Sequence, residues 1–156
     1  MQFSRAHDLG AAATDNGGFA VYDGVFSHCF ADAAVLAADI VIYDTTPVAD
    51  GLLGHSVVTT TTADSPVVAG VCEADAAALS PVLVQISGVG YVTCRSTQVA
   101  AAGAAIATGT TAGSADDANN AAGAYTGELA ASVAGVSLEA RSATITGQAL
   151  CRITCG

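Results

Sequence analysis

Turn-forming residues interrupt this chain at short intervals: Asp15-Asn16-Gly17-Gly18, Asp23-Gly24, Asp50-Gly51, Ser87-Gly88, Ala112-Gly113, Gly123, Gly127 and Gly147. Gly and Asn accept turn conformations at little steric cost, so they cut the sequence into segments too short for long helices. Between them lie runs rich in β-branched and aromatic residues at 19–22, 25–30, 40–43, 57–62, 67–72, 82–87, 89–94, 133–140 and 149–154. Many short strands at this spacing predict a mostly β fold, a small barrel or a sandwich. Two Ala-rich segments, 74–78 and 98–107, allow at most one or two short helices, because Ala has the highest helix propensity. Ser80-Pro81 closes the first of these ahead of a strand. The run Thr59-Thr60-Thr61-Thr62 reads as a strand with one exposed hydroxyl face.

An internal repeat sharpens the organisation. Val68-Ala69-Gly70-Val71 returns 65 residues later as Val133-Ala134-Gly135-Val136. The same offset sets Ile40-Val41-Ile42 against Ala105-Ile106-Ala107. Leu83-Val84-Gln85-Ile86-Ser87 matches Leu150-Cys151-Arg152-Ile153-Thr154 once two residues are added to the offset, as a loop-length difference between copies requires. The reading is a tandem repeat: an N-terminal arm and hairpin at 1–35, a first β unit at 36–98 and a second at 99–156.

At 156 residues the chain is long enough to bury roughly 70% of its unfolded surface, so no disulfide or metal staple is required. Its formal net charge is −10, with no Lys and four Arg (Arg5, Arg95, Arg141 and Arg152). Such a surface has almost nothing to neutralise phosphates, which argues against nucleic acid and against an anionic membrane as partner. No stretch reaches the roughly 20 apolar residues of a spanning helix. The first eight residues lack the basic start and apolar core of a secretory signal, which predicts that the chain stays in the compartment where it is made. Charged residues are only 12% of the total, leaving a surface of Ala, Thr, Ser and Gly suited to close packing against protein.

Residues that could carry chemistry are present without the spacing chemistry needs. Cys29, Cys72, Cys94, Cys151 and Cys155 form no CxxC pair, and they read as buried free thiols, with a long-range disulfide formed after release as the alternative. His7, His28 and His55 make no HxH or HExxH arrangement. Asp116-Asp117-Ala118-Asn119-Asn120 offers oxygen ligands of the kind calcium selects, but not the order of an EF-hand loop, and it reads as a solvated, Gly-flanked loop. No nucleophile elbow or phosphate-binding glycine motif occurs. The expectation is a non-enzymatic protein without cofactor or metal.

The apolar V-A-G-V strand at 133–136 is followed by a short polar connection at 139–146 and a closing strand at 148–154. Together these three features resemble the capsid cement, or head decoration, proteins of tailed bacteriophages. Upstream stand the Ala-rich run 99–106 and the Thr/Gly-rich run 108–113, while 82–88 looks like the strand that ends in a Gly turn before another strand, 91–94. The likeness covers roughly residues 38–156. It implies small barrel or tulip-like units, often trimeric, made in the host cytoplasm and bound outside the virion shell where major capsid subunits meet. It implies no catalytic residues. A fibre, tail or other appendage subunit is the alternative, and an adhesive or carbohydrate-binding β-module a second; the absence of Trp and the 5% aromatic content weigh against the last.

Phe3, Arg5 and Leu9 punctuate an otherwise polar start, where a free arm would order against a neighbouring subunit. Deleting residues 1–12 is expected to abolish shell binding and leave the fold intact, read by particle sedimentation and circular dichroism. Undiminished binding by the truncated chain counts against the arm.

Overall fold

The computed structural model describes residues 2–3, 24–46, 55–63, 65–94, 102–118, 133–139 and 147–155, with backbone alone for 2–3. Among these residues it is all β, without a helix. The strands are β1 (Gln2–Phe3), β2 (Gly24–Ala31), β3 (Ile40–Tyr43), β4 (Ser56–Val58), β5 (Val68–Cys72), β6 (Ser80–Cys94), β7 (Ala105–Thr108), β8 (Ala115–Asp117), β9 (Gly135–Ser137) and β10 (Gly147–Thr154).

Their pairing closes on itself twice. In the first ring β2 runs parallel to β4, and β4–β3, β3–β5, β5–β6 and β6–β2 are antiparallel. In the second, β6 runs parallel to β8, and β8–β7, β7–β9, β9–β10 and β10–β6 are antiparallel. Each ring has five strands, and β6 belongs to both: residues 80–88 pair with β2, residues 87–94 with β10. The second ring closes through the pair Cys94–Ala115. β1 extends the edge of β2 by pairing Gln2 with Phe26 and Phe3 with Val25.

The order β2-β4-β3-β5-β6 is therefore repeated by β6-β8-β7-β9-β10, which gives the sequence repeat its structural meaning. β3 and β7 stand 65 residues apart, as do Val71 and Val136. Their partners Gln85 and Arg152 stand 67 apart, so the two-residue adjustment falls between β5 and β6 in one copy and between β9 and β10 in the other. β2 is the counterpart of the second half of β6, so residues 24–31 complete the first ring.

The V-A-G-V motif owes its glycine to a close backbone crossing. Gly70 and Gly135 have φ of 148° and 157°. A Cβ on either would land on the carbonyl oxygen of Gln85 or of Arg152 in the adjacent strand. Neighbouring small and β-branched residues then fill the rings. Cys29, Ala31, Val35, Val41, Val57, Ala69, Cys72, Val82 and Val84 fill the first. Val92, Cys94, Ile106, Ala115, Ala134, Ala149, Cys151 and Ile153 fill the second, joined by Ile40 and Val71 from the outside of the first. A five-stranded ring is narrower than the eight-stranded barrels whose interiors side chains just fill, so Ala, Val and Cys are the sizes that fit.

Several expected boundaries differ. The Ser87-Gly88 turn does not form: β6 passes through it unbroken, because Gly88, at φ 115°, bends without leaving the ladder and pairs with both Gly24 and Ile153. The 74–78 segment forms no helix; Ala76 gives its N–H to Val35 and takes Val35's N–H, both at 3.0 Å. Tertiary pairing thus overrides the propensity of Ala. In 98–107 the described part is a turn followed by β7, and residues 98–101 lie outside the described residues. Of the 57–62 run only Val57 and Val58 are strand, in β4, since the Thr60 hydroxyl accepts the Thr62 N–H at 3.0 Å and draws the backbone into a local turn. The 19–22 run lies outside the described residues.

Gly70→Ala and Gly135→Ala are each expected to cost about 3 kcal/mol, because two strands must separate to admit the methyl group. The check is the urea midpoint of each variant. Retention of the wild-type midpoint by either would contradict the close crossing.

Candidate functional site

A strand shared by two rings has to turn between them, and the bend in β6 builds a concave surface. Val25 pairs with Ser87 and Phe26 with Gln85, so Ile86 is left unopposed as a bulge. Bulges increase local twist. The buried Gln85 side chain spans the bend, its Nε2 donating to the carbonyls of Ser87 and Val89 at 3.3 Å each. Gly90 leaves room for it; a Cβ there would meet Gln85 Oε1.

Phe26 and Val71 flank Gln85 across the outer face of the first ring. Beyond the bend, Val89, Gly90, Tyr91 and Gln148 belong to the second. Between these two walls lies a cavity of about 220 Å3, bounded along one side by Ala37, Ala38, Cys72 and Glu73. Tyr91 is half-exposed at its mouth and pairs with Leu150; Leu138 follows on the next strand, its N–H on the Leu150 carbonyl at 2.9 Å.

Two loops brace the site. Residues 32–38 and 73–79 share one conformation, each ending in a non-glycine residue at positive φ, Ala38 at 67° and Leu79 at 58°. That conformation costs roughly 1–2 kcal/mol per residue. It is held by the Val35–Ala76 bridge, by Asp75 Oδ1 on the Ala37 N–H at 2.7 Å and by Asp39 Oδ2 on the Leu36 N–H at 3.0 Å. The first loop also ties the rings together: the Ala38 carbonyl accepts Thr93 N–H at 2.8 Å, and Ile40 N–H reaches the Gly113 carbonyl at 3.0 Å. A second tie runs through Thr108, whose hydroxyl donates to the Thr62 carbonyl at 2.9 Å and accepts the Ser65 N–H at 2.8 Å.

The chemistry available is that of packing and hydrogen bonding. All five cysteines are free thiols, four of them buried. Burial pushes Cys72, Cys151 and Cys155 up to about 12, which leaves them protonated at neutral pH and poor nucleophiles. No group of three His, Cys, Asp or Glu among the described residues could hold a metal ion. The 116–120 segment is not a solvated loop where it is described: Asp116 and Asp117 are in β8, and Asp116 is buried, its Oδ1 accepting the Asp117 N–H at 2.7 Å. Asn119 and Asn120 lie outside the described residues. His28 is exposed on β2 and His55 on the turn before β4. Of the predicted contact residues, Arg5 and Leu9 lie outside the described residues, and Phe3 is placed by its backbone alone, in β1.

No protein-family model matches the chain, and no curated protein does. A solved structure does: the N base of head fiber gp8.5 of bacteriophage phi29, over 83% of this chain and 93% of that one, with a TM-score of 0.55 and 14% identity. The fold resembles that phage head fiber base. At this identity the likeness is one of fold.

Sequence reasoning missed the cavity, since it joins positions as distant as Phe26 and Gln148. Its one local signal is the spacing of Gln85, Gly88 and Gly90. Gln85→Ala is expected to cost about 1–3 kcal/mol, by stripping two carbonyls of a partner inside the bend. The exposed Gln148→Ala should stay within about 0.5 kcal/mol. Urea unfolding of both variants checks this; equal losses would remove Gln85 as the brace of the bend.

Proposed function

We propose that this chain is a structural protein of a bacteriophage particle, bound to the outside of the head where major capsid subunits meet, where it stabilises the shell. The observation that carries the proposal is the likeness to a head fiber base over most of both chains. The sequence resemblance to decoration proteins points the same way by an independent route. A rigid pair of joined rings with protonated thiols and few charges suits a part that holds others together, and the proposal includes no enzymatic activity.

Cementing works by adding interface across capsomer junctions, and several weak contacts on one oligomer multiply into firm attachment. A homo-oligomer, a trimer by the family pattern, fits that requirement. The major capsid protein is the proposed partner, and the low count of fixed cations continues to disfavour nucleic acid.

The test is sedimentation of purified heads with the full chain, followed by quantitation of bound copies. A fixed ratio approaching that of the capsid subunit is expected for a shell-stabilising protein, together with heads that resist heating better when coated. A few copies per particle would replace cementing with the fibre or appendage reading, and a chain left wholly in the supernatant would overturn both.

A further inference from the structure

We propose that the cavity at the bend of β6 receives one aromatic side chain from a basic-flanked segment of a partner protein. The inference deepens the virion reading and rests on it only for who supplies the segment. Volume selects the occupant first. At about 220 Å3 the cavity falls below the roughly 300–1,000 Å3 of cofactor and small-molecule sites. It exceeds the roughly 150 Å3 that is enough for benzene. One ring fits, where Phe26, Val71, Val89 and Tyr91 supply apolar wall and edge contacts.

Preorganisation supports a docking role. The walls belong to two closed rings, and Gln85 fixes the angle between them, so an incoming side chain need not order the site. Surrounding the mouth, Tyr91 at 48% and Leu138 at 46% exposure offer further apolar surface. Buried aromatic anchors ringed by such contacts carry most of the energy of protein interfaces.

Charge decides what flanks the anchor. Glu73 lines the cavity, Asp75 stands two residues on at the exposed loop, and the chain as a whole carries −10. The one cation nearby among the described residues is Arg152, which pairs with the lining residue Val89 and so stands at the second-ring wall, away from the loop that carries Glu73. A Lys or Arg beside the anchor on the Glu73 side is therefore favoured. A second copy of this chain is a poor occupant. Tyr91, the one exposed aromatic among the residues whose side chains are described, is already a wall of the cavity, and a facing copy would bring carboxylates against Glu73 and Asp75.

The experiment titrates the 15N-labelled full chain with three blocked pentapeptides, Lys-Gly-Phe-Gly-Lys, Glu-Gly-Phe-Gly-Glu and Lys-Gly-Ala-Gly-Lys, and follows the amides of Glu73, Gly90 and Tyr91. The basic aromatic peptide should shift all three, with a dissociation constant on the order of 1 mM. The acidic peptide and the Ala peptide should bind at least about tenfold more weakly. Tyr91→Ala and Glu73→Lys, checked for wild-type amide dispersion, should each abolish the shift. Equal response to all three peptides, no response, shifts that depend on protein concentration alone, or shifts given instead by a panel of neutral oligosaccharides would each overturn the proposal. Because no heads are used, failure here leaves the virion reading to its own sedimentation test.

Discussion

A single strand can close two five-stranded rings only if it turns from one to the other without giving up its ladder of hydrogen bonds, and the rest of the molecule follows from how β6 does so. The bulge at Ile86 adds twist, Gly88 supplies a backbone angle that other residues resist, and Gln85 takes the two carbonyls on either side of that glycine. Phe26 and Val71 are then brought within reach of Val89 and Tyr91, and the crease between the rings becomes a defined cavity rather than a seam. The loop ending at Ala38 locks the arrangement from outside by reaching across to Thr93 and Gly113.

Composition takes on a physical sense in this geometry. A ring of five strands encloses little space, so its interior is built from Ala, Val, Cys and a few Ile, while Phe26 and Tyr91 stand at the junction between the rings. Cysteine behaves here as a small hydrophobic residue, protonated and packed, so an odd count of five poses no redox problem. The thinness of the apolar side chains is compensated by closure: a closed ring exposes few unpaired strand edges, which are the usual liability of a β protein with so little charge.

Legibility followed locality. The duplication was readable because Gly70 and Gly135 answer a demand that no other residue meets, so the V-A-G-V words are kept at a fixed offset, and the two-residue adjustment to Gln85 and Arg152 holds in the strand pairing. Strand positions such as 40–43 were legible from β-branched content alone. What failed was any inference from propensity where a distant partner decides the outcome. Ala76 is extended because Val35 pairs with it, and Ser87-Gly88 is strand because β2 and β10 flank it on both sides. The Thr run failed for the opposite reason, a hydroxyl competing locally with the sheet. The cavity could not be read, since its lining is gathered from positions as distant as Phe26, Ala37, Val71 and Gln148.

Duplication by itself would give two equivalent outer faces, and the difference between them is where specificity can arise. On the first ring the outer row Phe26–Gln85–Val71 is buried against the bend, consumed in joining the copies. On the second, the counterpart row by the same offsets is Val89–Arg152–Val136, and beside it run Tyr91, Leu150 and Leu138 across the same three strands; Arg152, Val136, Tyr91 and Leu138 are exposed, and Val89 and Tyr91 reach the cavity. One copy thus supplies the rigid support and the other the free surface. A ring-to-ring interface that must stay closed and a neighbouring face that must stay available are compatible because β6 assigns alternate stretches of one backbone to each. The same covalent continuity means that any load taken up at Tyr91 is carried into Gln85 and the first ring through the five residues of strand between them rather than through a flexible linker.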